Sequence, residues 1–213
     1  HGTDDRPFIV FWEVTRACGL ACAHCRADAM PHRDPRELST VEAQQLIDDL
    51  AAYEAPRPIL VLTGGDPFER DDLADLVRYA TQRGLHVSLS PSVTPRLTAS
   101  RLAELRSAGA SAVSLSLDGA RPETHDELRG IEGTYRDTVL AAAMVRDAGF
   151  RLQSNTTAHA GNVDALPDLL AWLVEQNVRA ELETARGCYA RARAELGGEL
   201  DPAVIAELLR TLE

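Results

Sequence analysis

Six times along this 213-residue chain an apolar, β-branched run gives way to a segment of helical periodicity, and that alternation limits the fold more than any other feature. The runs begin near Ile9, Ile59, Leu85, Ala112, Phe150 and Val178. Ser39-Thr40-Val41-Glu42 reads as a capping box ahead of Leu46, Ile47 and Leu50. Later helical stripes are Leu73, Leu76, Val77 and Ala80; then Leu102 and Leu105; then Val139, Leu140, Ala143 and Met144; then Leu166, Leu169, Leu170 and Leu173. A sixth helix is expected after Asp201-Pro202, carrying Val204, Ile205, Leu208 and Leu209. Gly84, Gly109 and Gly149 stand where left-handed caps would end helices.

Strands joined by helical crossovers lie parallel, and Ile59-Leu60-Val61-Leu62 is apolar throughout, as a strand covered on both faces should be. A doubly wound sheet and a barrel both fit. A closed eight-unit barrel typically takes about 250 residues, so the expectation is α/β, a partial (β/α)6 barrel of parallel strands. It is read as a single domain over residues 8–213. Residues 1–7, polar, acidic and starting without Met, are expected to be a disordered or tag-derived start.

The unusual residues fall after the strands. Cys18–Cys25 follow the first, Gly64-Gly65-Asp66-Pro67 the second, Ser90-Pro91-Ser92 the third and Asp118-Gly119 the fourth. Asn155 is placed toward the end of the fifth, and Arg186-Gly187-Cys188 follows the sixth. Parallel α/β folds carry their chemistry at the carboxyl ends of strands.

Composition removes several classes. Asp and Glu outnumber the basic residues 33 to 22, a formal net charge of −11, which is unsuited to binding nucleic-acid backbones. No run of 18 apolar residues suggests a membrane span, and no signal peptide is visible. Three of the four Cys lie within eight residues, a spacing for metal rather than for disulfides, and a cytoplasmic setting is expected.

Cys18-Gly19-Leu20-Ala21-Cys22-Ala23-His24-Cys25 lets one loop wrap three thiolates around a small inorganic centre. Three thiolates suit a four-iron cubane whose last iron keeps an exchangeable position. A structural zinc ion wants a fourth protein ligand. His24 adjoins Cys25 and is poorly placed for that, but His32 could complete a Cys3His site, so a zinc- or cluster-binding module stays open.

CxxxCxxC after the first strand with Gly-Gly-Asp-Pro after the second resembles the radical S-adenosylmethionine (SAM) superfamily, from about Ile9 to Asn155. The resemblance implies that Cys18, Cys22 and Cys25 hold a [4Fe–4S] cluster and that SAM chelates the open iron. In that family, reduction of the cluster cleaves SAM to methionine and a 5′-deoxyadenosyl radical, which takes a hydrogen atom from substrate. His24 occupies the position, often aromatic, that lies near the adenine. Gly64-Gly65-Asp66-Pro67 matches the family's Gly-Gly-Glu-Pro motif, with Asp for Glu. It would present strand-end carbonyls, and the Asp66 carboxylate, to the SAM amino group. Alone it reads as a turn in which Asp66 caps a helix.

Ser114-Leu115-Ser116-Leu117-Asp118-Gly119 is similar to the family's fourth-strand signature, making Ser116 and Asp118 candidate SAM contacts; a plain strand-end turn is the competing reading. In His125-Asp126-Glu127-Leu128-Arg129-Gly130, Arg129 is a candidate clamp for the SAM carboxylate or a surface salt bridge, and His125 is read as structural. Ser90, Ser92 and Asn155 are further pocket candidates, and Trp12 is assigned to the core. Arg16 and Arg26 flank the cluster loop, either tuning its charge or solvated. Cys188 is read as an inert buried thiol, a hydrogen-atom donor as in radical SAM epimerases, or one ligand of an auxiliary cluster.

The branch that this chain resembles contains haem-modifying enzymes and peptide maturases. This implies a small-molecule or peptide substrate, either tetrapyrrole or ribosomal peptide, and a reductant such as flavodoxin or ferredoxin. Relatives there often carry a cysteine-rich C-terminal extension; none is seen in these residues, so the expectation is either an enzyme working with the SAM cluster alone or a sequence that stops short of that region.

Overall fold

The computed structural model describes residues 6–20, 22–159 and 161–175, and the backbone of a strand at 179–184. Cys188, Arg186-Gly187 and the helix expected after Pro202 lie outside the described residues. The elements are β1 (Ile9–Thr15), α1 (Thr40–Ala51), β2 (Ile59–Gly64), α2 (Leu73–Gln82), β3 (His86–Leu89), α3 (Ala99–Ala108) and β4 (Ala112–Ser116). They continue with α4 (Pro122–Arg129), α5 (Thr134–Asp147), β5 (Arg151–Ala158), α6 (Leu166–Glu175) and β6 (Arg179–Thr184). Sheet order follows chain order, β1-β2-β3-β4-β5-β6.

Packing groups the chain into two interleaved compact units. One holds the described residues up to Gly19, Ala27–Ser114 and Ala143–Arg151; the other holds Leu20–Arg26, Leu115–Ala142 and the described residues from Leu152 on. In the first, β1, β2 and β3 run parallel from Ile9↔Ile59 and Ile59↔His86, and β4 joins β3 at Ser88↔Ala112. The capping box forms: Ser39 accepts from the Glu42 N–H, and the Glu42 side chain accepts from the Ser39 N–H. Leu73, Leu76, Val77, Ala80, Leu102 and Leu105 are all buried, each large one contributing about 1.5–3 kcal/mol. Gly84, Gly109 and Gly149 all take positive φ. β1 differs. Phe8 and Phe11 are 78% and 58% exposed, and Trp12 is only half-buried rather than core. This strand heads the sheet order, and β2 is the strand it pairs with.

In the second unit β5 and β6 pair in parallel from Gln153↔Arg179 to Ala158↔Thr184. Leu117, Ala158, Leu166, Leu169 and Leu173 form its core, with Tyr135 and Trp172 packed against it. The expected stripe of α5 is corrected by the structure. The buried stripe of α5 is Thr134, Thr138, Ala141 and Val145, while Leu140 is exposed. The two threonines, unmarked as apolar, sit at the helical spacing that the sequence stripe missed. The His125–Arg129 segment, given no element above, is the helix α4. Among the described residues no helix is long and apolar enough to cross a membrane.

Candidate active site

The cysteine loop is anchored where β1 ends. Ala17 bridges to Met30; the Cys18 N–H donates to the Met30 carbonyl at 2.9 Å and the Met30 N–H to that of Arg16 at 2.8 Å. Arg16 is neither loose nor simply solvated: its guanidinium donates to the Ala27 and Asp28 carbonyls and to the Asp28 carboxylate at 2.6–3.1 Å, stapling the far side of the loop. Thr15 donates to Glu37 at 2.6 Å and accepts from the Ala17 N–H, which fixes the entry.

Gly64 and Gly65 serve this anchor. Gly64 has φ +128, and a Cβ there would stand 2.1 Å from the Thr15 carbonyl oxygen. A Cβ on Gly65 would stand 2.3 Å from that of Ala17. The bare backbones therefore close on each other, with Gly65 N–H donating to Thr15 and Asp66 N–H to Ala17 at 2.8 and 2.7 Å. The close approach that these glycines permit is to the chain's own cysteine loop. Asp66 is fully buried; it accepts from the Phe68 N–H, capping a short 3-10 turn at Pro67–Glu69, and from the Thr94 hydroxyl at 2.8 Å. Burial pushes its carboxyl above the usual range. Pro67 is buried at the first position of that turn. Ser92 donates to the Gly65 carbonyl at 3.0 Å and accepts from the Cys18 thiol at 3.3 Å. Ser90 follows β3 and is half-buried, its N–H donating to Leu62.

The second unit holds Cys22, His24, Cys25, Ser116, Asp118, Arg129 and Asn155. Cys22 is buried and Cys25 half-buried; the Cys25 N–H donates to the Cys22 carbonyl, and the Ala23 N–H to that of Leu128 in α4. Asp118, 1% exposed, accepts from Arg129 Nη2 at 2.5 Å and from the Thr157 N–H at 2.9 Å. Arg129 Nη1 donates to Cys22 Sγ at 3.6 Å. This is a buried ion pair, not a surface one: side-chain exposure is 12% for Arg129 and 1% for Asp118. Desolvation would raise the Asp118 carboxyl, but the Arg129, His24 and His125 charges and the Thr157 N–H hold it below the usual range. His125 is buried, accepts from the Asp118 N–H through Nδ1 at 3.1 Å, and has its pKa lowered to about 4 by burial and then by Arg129. His24 falls to about 4 for the same two reasons, in the same order.

Ser116, half-buried, ends β4. Asn155 is mid-strand rather than near the end of β5, and its side chain accepts from Gln153 at 3.2 Å. Sequence reasoning missed His159 and Asn162. Asn162 donates to the carbonyls of Asp118 and Thr157, each at 2.8 Å. His159 Nδ1 accepts from the Gly161 N–H, so the neutral ring carries its proton on Nε2. That nitrogen, His24 Nδ1 and Arg129 Nε are buried with no hydrogen-bond partner among the described residues. Polar residues just past β5 were the available signal.

Two curated relatives and one solved structure frame this geometry. The AdoMet-dependent heme synthase of Oleidesulfovibrio alaskensis is 43% identical over 161 residues, 76% of this chain and 41% of the relative. The mycofactocin maturase MftC of Mycolicibacterium smegmatis is 36% identical over 168 residues, 78% and 42% of the two chains. The chain thus spans about two-fifths of the length of these relatives. Streptococcus suis SuiB, solved bound to S-adenosylmethionine, superposes with a TM-score of 0.80 at 14% identity, covering 97% of this chain and 47% of that one, a likeness of fold. The fold class is accordingly α/β, a partial (β/α)6 barrel of parallel strands. The radical SAM superfamily model matches residues 12–173, from inside β1 to inside α6, and the chain belongs to that superfamily.

Proposed function

We propose that this chain carries the core of a radical SAM enzyme, with Cys18, Cys22 and Cys25 ligating a [4Fe–4S] cluster and SAM binding at its open iron. The observation that carries this reading is the setting of Cys22, a buried sulfur that accepts a hydrogen bond from a guanidinium N–H, as the sulfurs of cluster-bound cysteines do. The donor set fits the group. It offers three thiols from one loop, while His32, which could complete a zinc site, is exposed. A cubane spreads its thiolates over separate irons.

When bound, cluster and SAM together supply one-electron cleavage of the sulfonium and hydrogen-atom abstraction from an organic substrate. The chain's own residues bind and position. Gly64, Gly65 and Asp66 hold the cysteine loop against β2, and Ser92 reaches both Cys18 and the Gly65 carbonyl. His24 Nδ1, His159 Nε2 and Arg129 Nε are polar atoms suited to meeting a polar ligand. Ser90, Ser116 and Asp118 complete the proposed SAM contacts; the mid-strand position of Asn155 makes it a weaker one. The 43% identity to a haem synthase, against 36% to a maturase, favours a tetrapyrrole over a ribosomal peptide as substrate. The reductant would be a flavodoxin or ferredoxin, and an oxygen-sensitive centre of this kind suits the reducing cytoplasm.

The test is anaerobic reconstitution. Four irons per chain and 5′-deoxyadenosine formed from SAM under dithionite are expected, with both lost in Cys22→Ala. Stoichiometric zinc without SAM turnover would return the module reading. Stimulation of turnover by a porphyrin-type tetrapyrrole supports that substrate class; stimulation by a peptide alone would move the assignment to the maturases.

A further inference from the structure

We propose that Arg129 sets the reduction potential of the cluster by donating a hydrogen bond to the Cys22 sulfur. The inference rests on the reading of Cys22 as a cluster ligand. Arg129 Nη1 lies 3.6 Å from Cys22 Sγ, and the guanidinium is locked from its other end by Asp118 Oδ2 at 2.5 Å. Asp118 is itself immobilised: Oδ1 accepts from the Thr157 N–H at 2.9 Å, its carbonyl accepts from Asn162 at 2.8 Å, and its N–H donates to His125. All of these residues belong to one compact unit. The donor is therefore aimed at the sulfur before any ligand arrives.

Adding an electron to the cluster increases charge density on its sulfurs. A fixed N–H donor and a nearby cation stabilise that reduced state more than the oxidised one. Asp118 offsets part of the Arg129 charge, so the oriented N–H carries more of the effect than the net charge does. Burial of both keeps solvent and salt from screening it away. The expected role of Arg129 as a clamp on the SAM carboxylate is a different function of the same fork and predicts a different measurement. Arg129 acts through Cys22 and is a positioning residue, not a catalytic one.

The experiment is a potentiometric titration of the reconstituted protein, followed by electron paramagnetic resonance of the reduced cluster, with SAM affinity measured alongside. Arg129→Gln is expected to keep four irons, whatever its effect on SAM affinity. In that variant the one-electron equilibrium should move tenfold or more toward the oxidised form, about 59 mV more negative. A potential shifted less than threefold overturns the proposal, as does weakened SAM binding with the potential unmoved, which would make Arg129 a SAM clamp. Should Arg129→Gln not assemble, Arg129→Lys carries the test. It keeps the charge but not the aimed N–H, so a smaller negative shift is expected, and no shift overturns the proposal. A parent protein that takes up no four-iron cluster would instead sink the cluster reading itself.

Discussion

Two buried aspartates follow parallel strands in this protein and are used in opposite ways. Asp66 spends both oxygens inside the fold, on Phe68 and Thr94, and the Gly65 N–H and carbonyl beside it are also taken. Asp118 accepts from Thr157 and Arg129, yet among its neighbours Arg129 Nε, His24 Nδ1 and His159 Nε2 have no partner among the described residues. A buried polar atom without a hydrogen bond costs about 1–3 kcal/mol; among the described residues this unit retains four, these three and Ser154 Oγ, and the proposed function gives the three a ligand to meet. The motif more easily recognised in sequence, Gly-Gly-Asp-Pro, carries the aspartate whose oxygens are taken by Phe68 and Thr94.

The largest effect should come from breaking the open region. Asp118→Asn leaves the Arg129 guanidinium buried without its counter-charge, and thermal or denaturant unfolding should show a loss of roughly 3–5 kcal/mol; a loss under 1 kcal/mol would mean that the pair is not the anchor described. Breaking the closed region comes next. Gly65→Ala drives a methyl against the Ala17 and Arg16 carbonyls, at 2.3 and 2.6 Å. It should cost about 3 kcal/mol and lower iron uptake through the displaced loop, whereas Gly133→Ala, which meets nothing closer than the Arg136 side chain at 3.7 Å, should keep iron uptake intact. Equal iron uptake in the two variants would refute the clamp.

The smallest effect is a titration. His125, faced by Asp118, Arg129, Asp126, His24, Thr138 and Tyr135, has its folded pKa lowered to about 4 from 6.5, chiefly by burial. The unfolded chain therefore takes up the proton first as pH falls, and stability is lost between about pH 6.5 and 4, with no contribution above. Between pH 7 and 5 the loss from this group should be on the order of 1–2 kcal/mol, and His125→Gln should flatten that part of the profile. A profile just as steep in the variant would remove His125 from the account.

Much of this was legible in the sequence. The strand starts, the Ser39 capping box, the glycine caps and the faces of α2, α3 and α6 follow from local periodicity, because each depends on residues within a few positions of one another. The α5 stripe was misread because Thr134 and Thr138 are polar by type, yet their side chains are satisfied by Asp126, the Ile131 carbonyl and His125 and so can face inward. His159 and Asn162 belong to no recognised motif, and only their contacts reveal them.

The chain's order of strands and helices, its three-thiol loop and its family were set by the sequence alone, since periodicity and spacing are properties of neighbouring residues. Which aspartate is closed and which is open was decided in three dimensions. The partners that settle it lie far along the chain, Thr94 28 positions from Asp66 and Asn162 44 positions from Asp118, and hydrogen bonds across such separations exist only once strands and helices have packed.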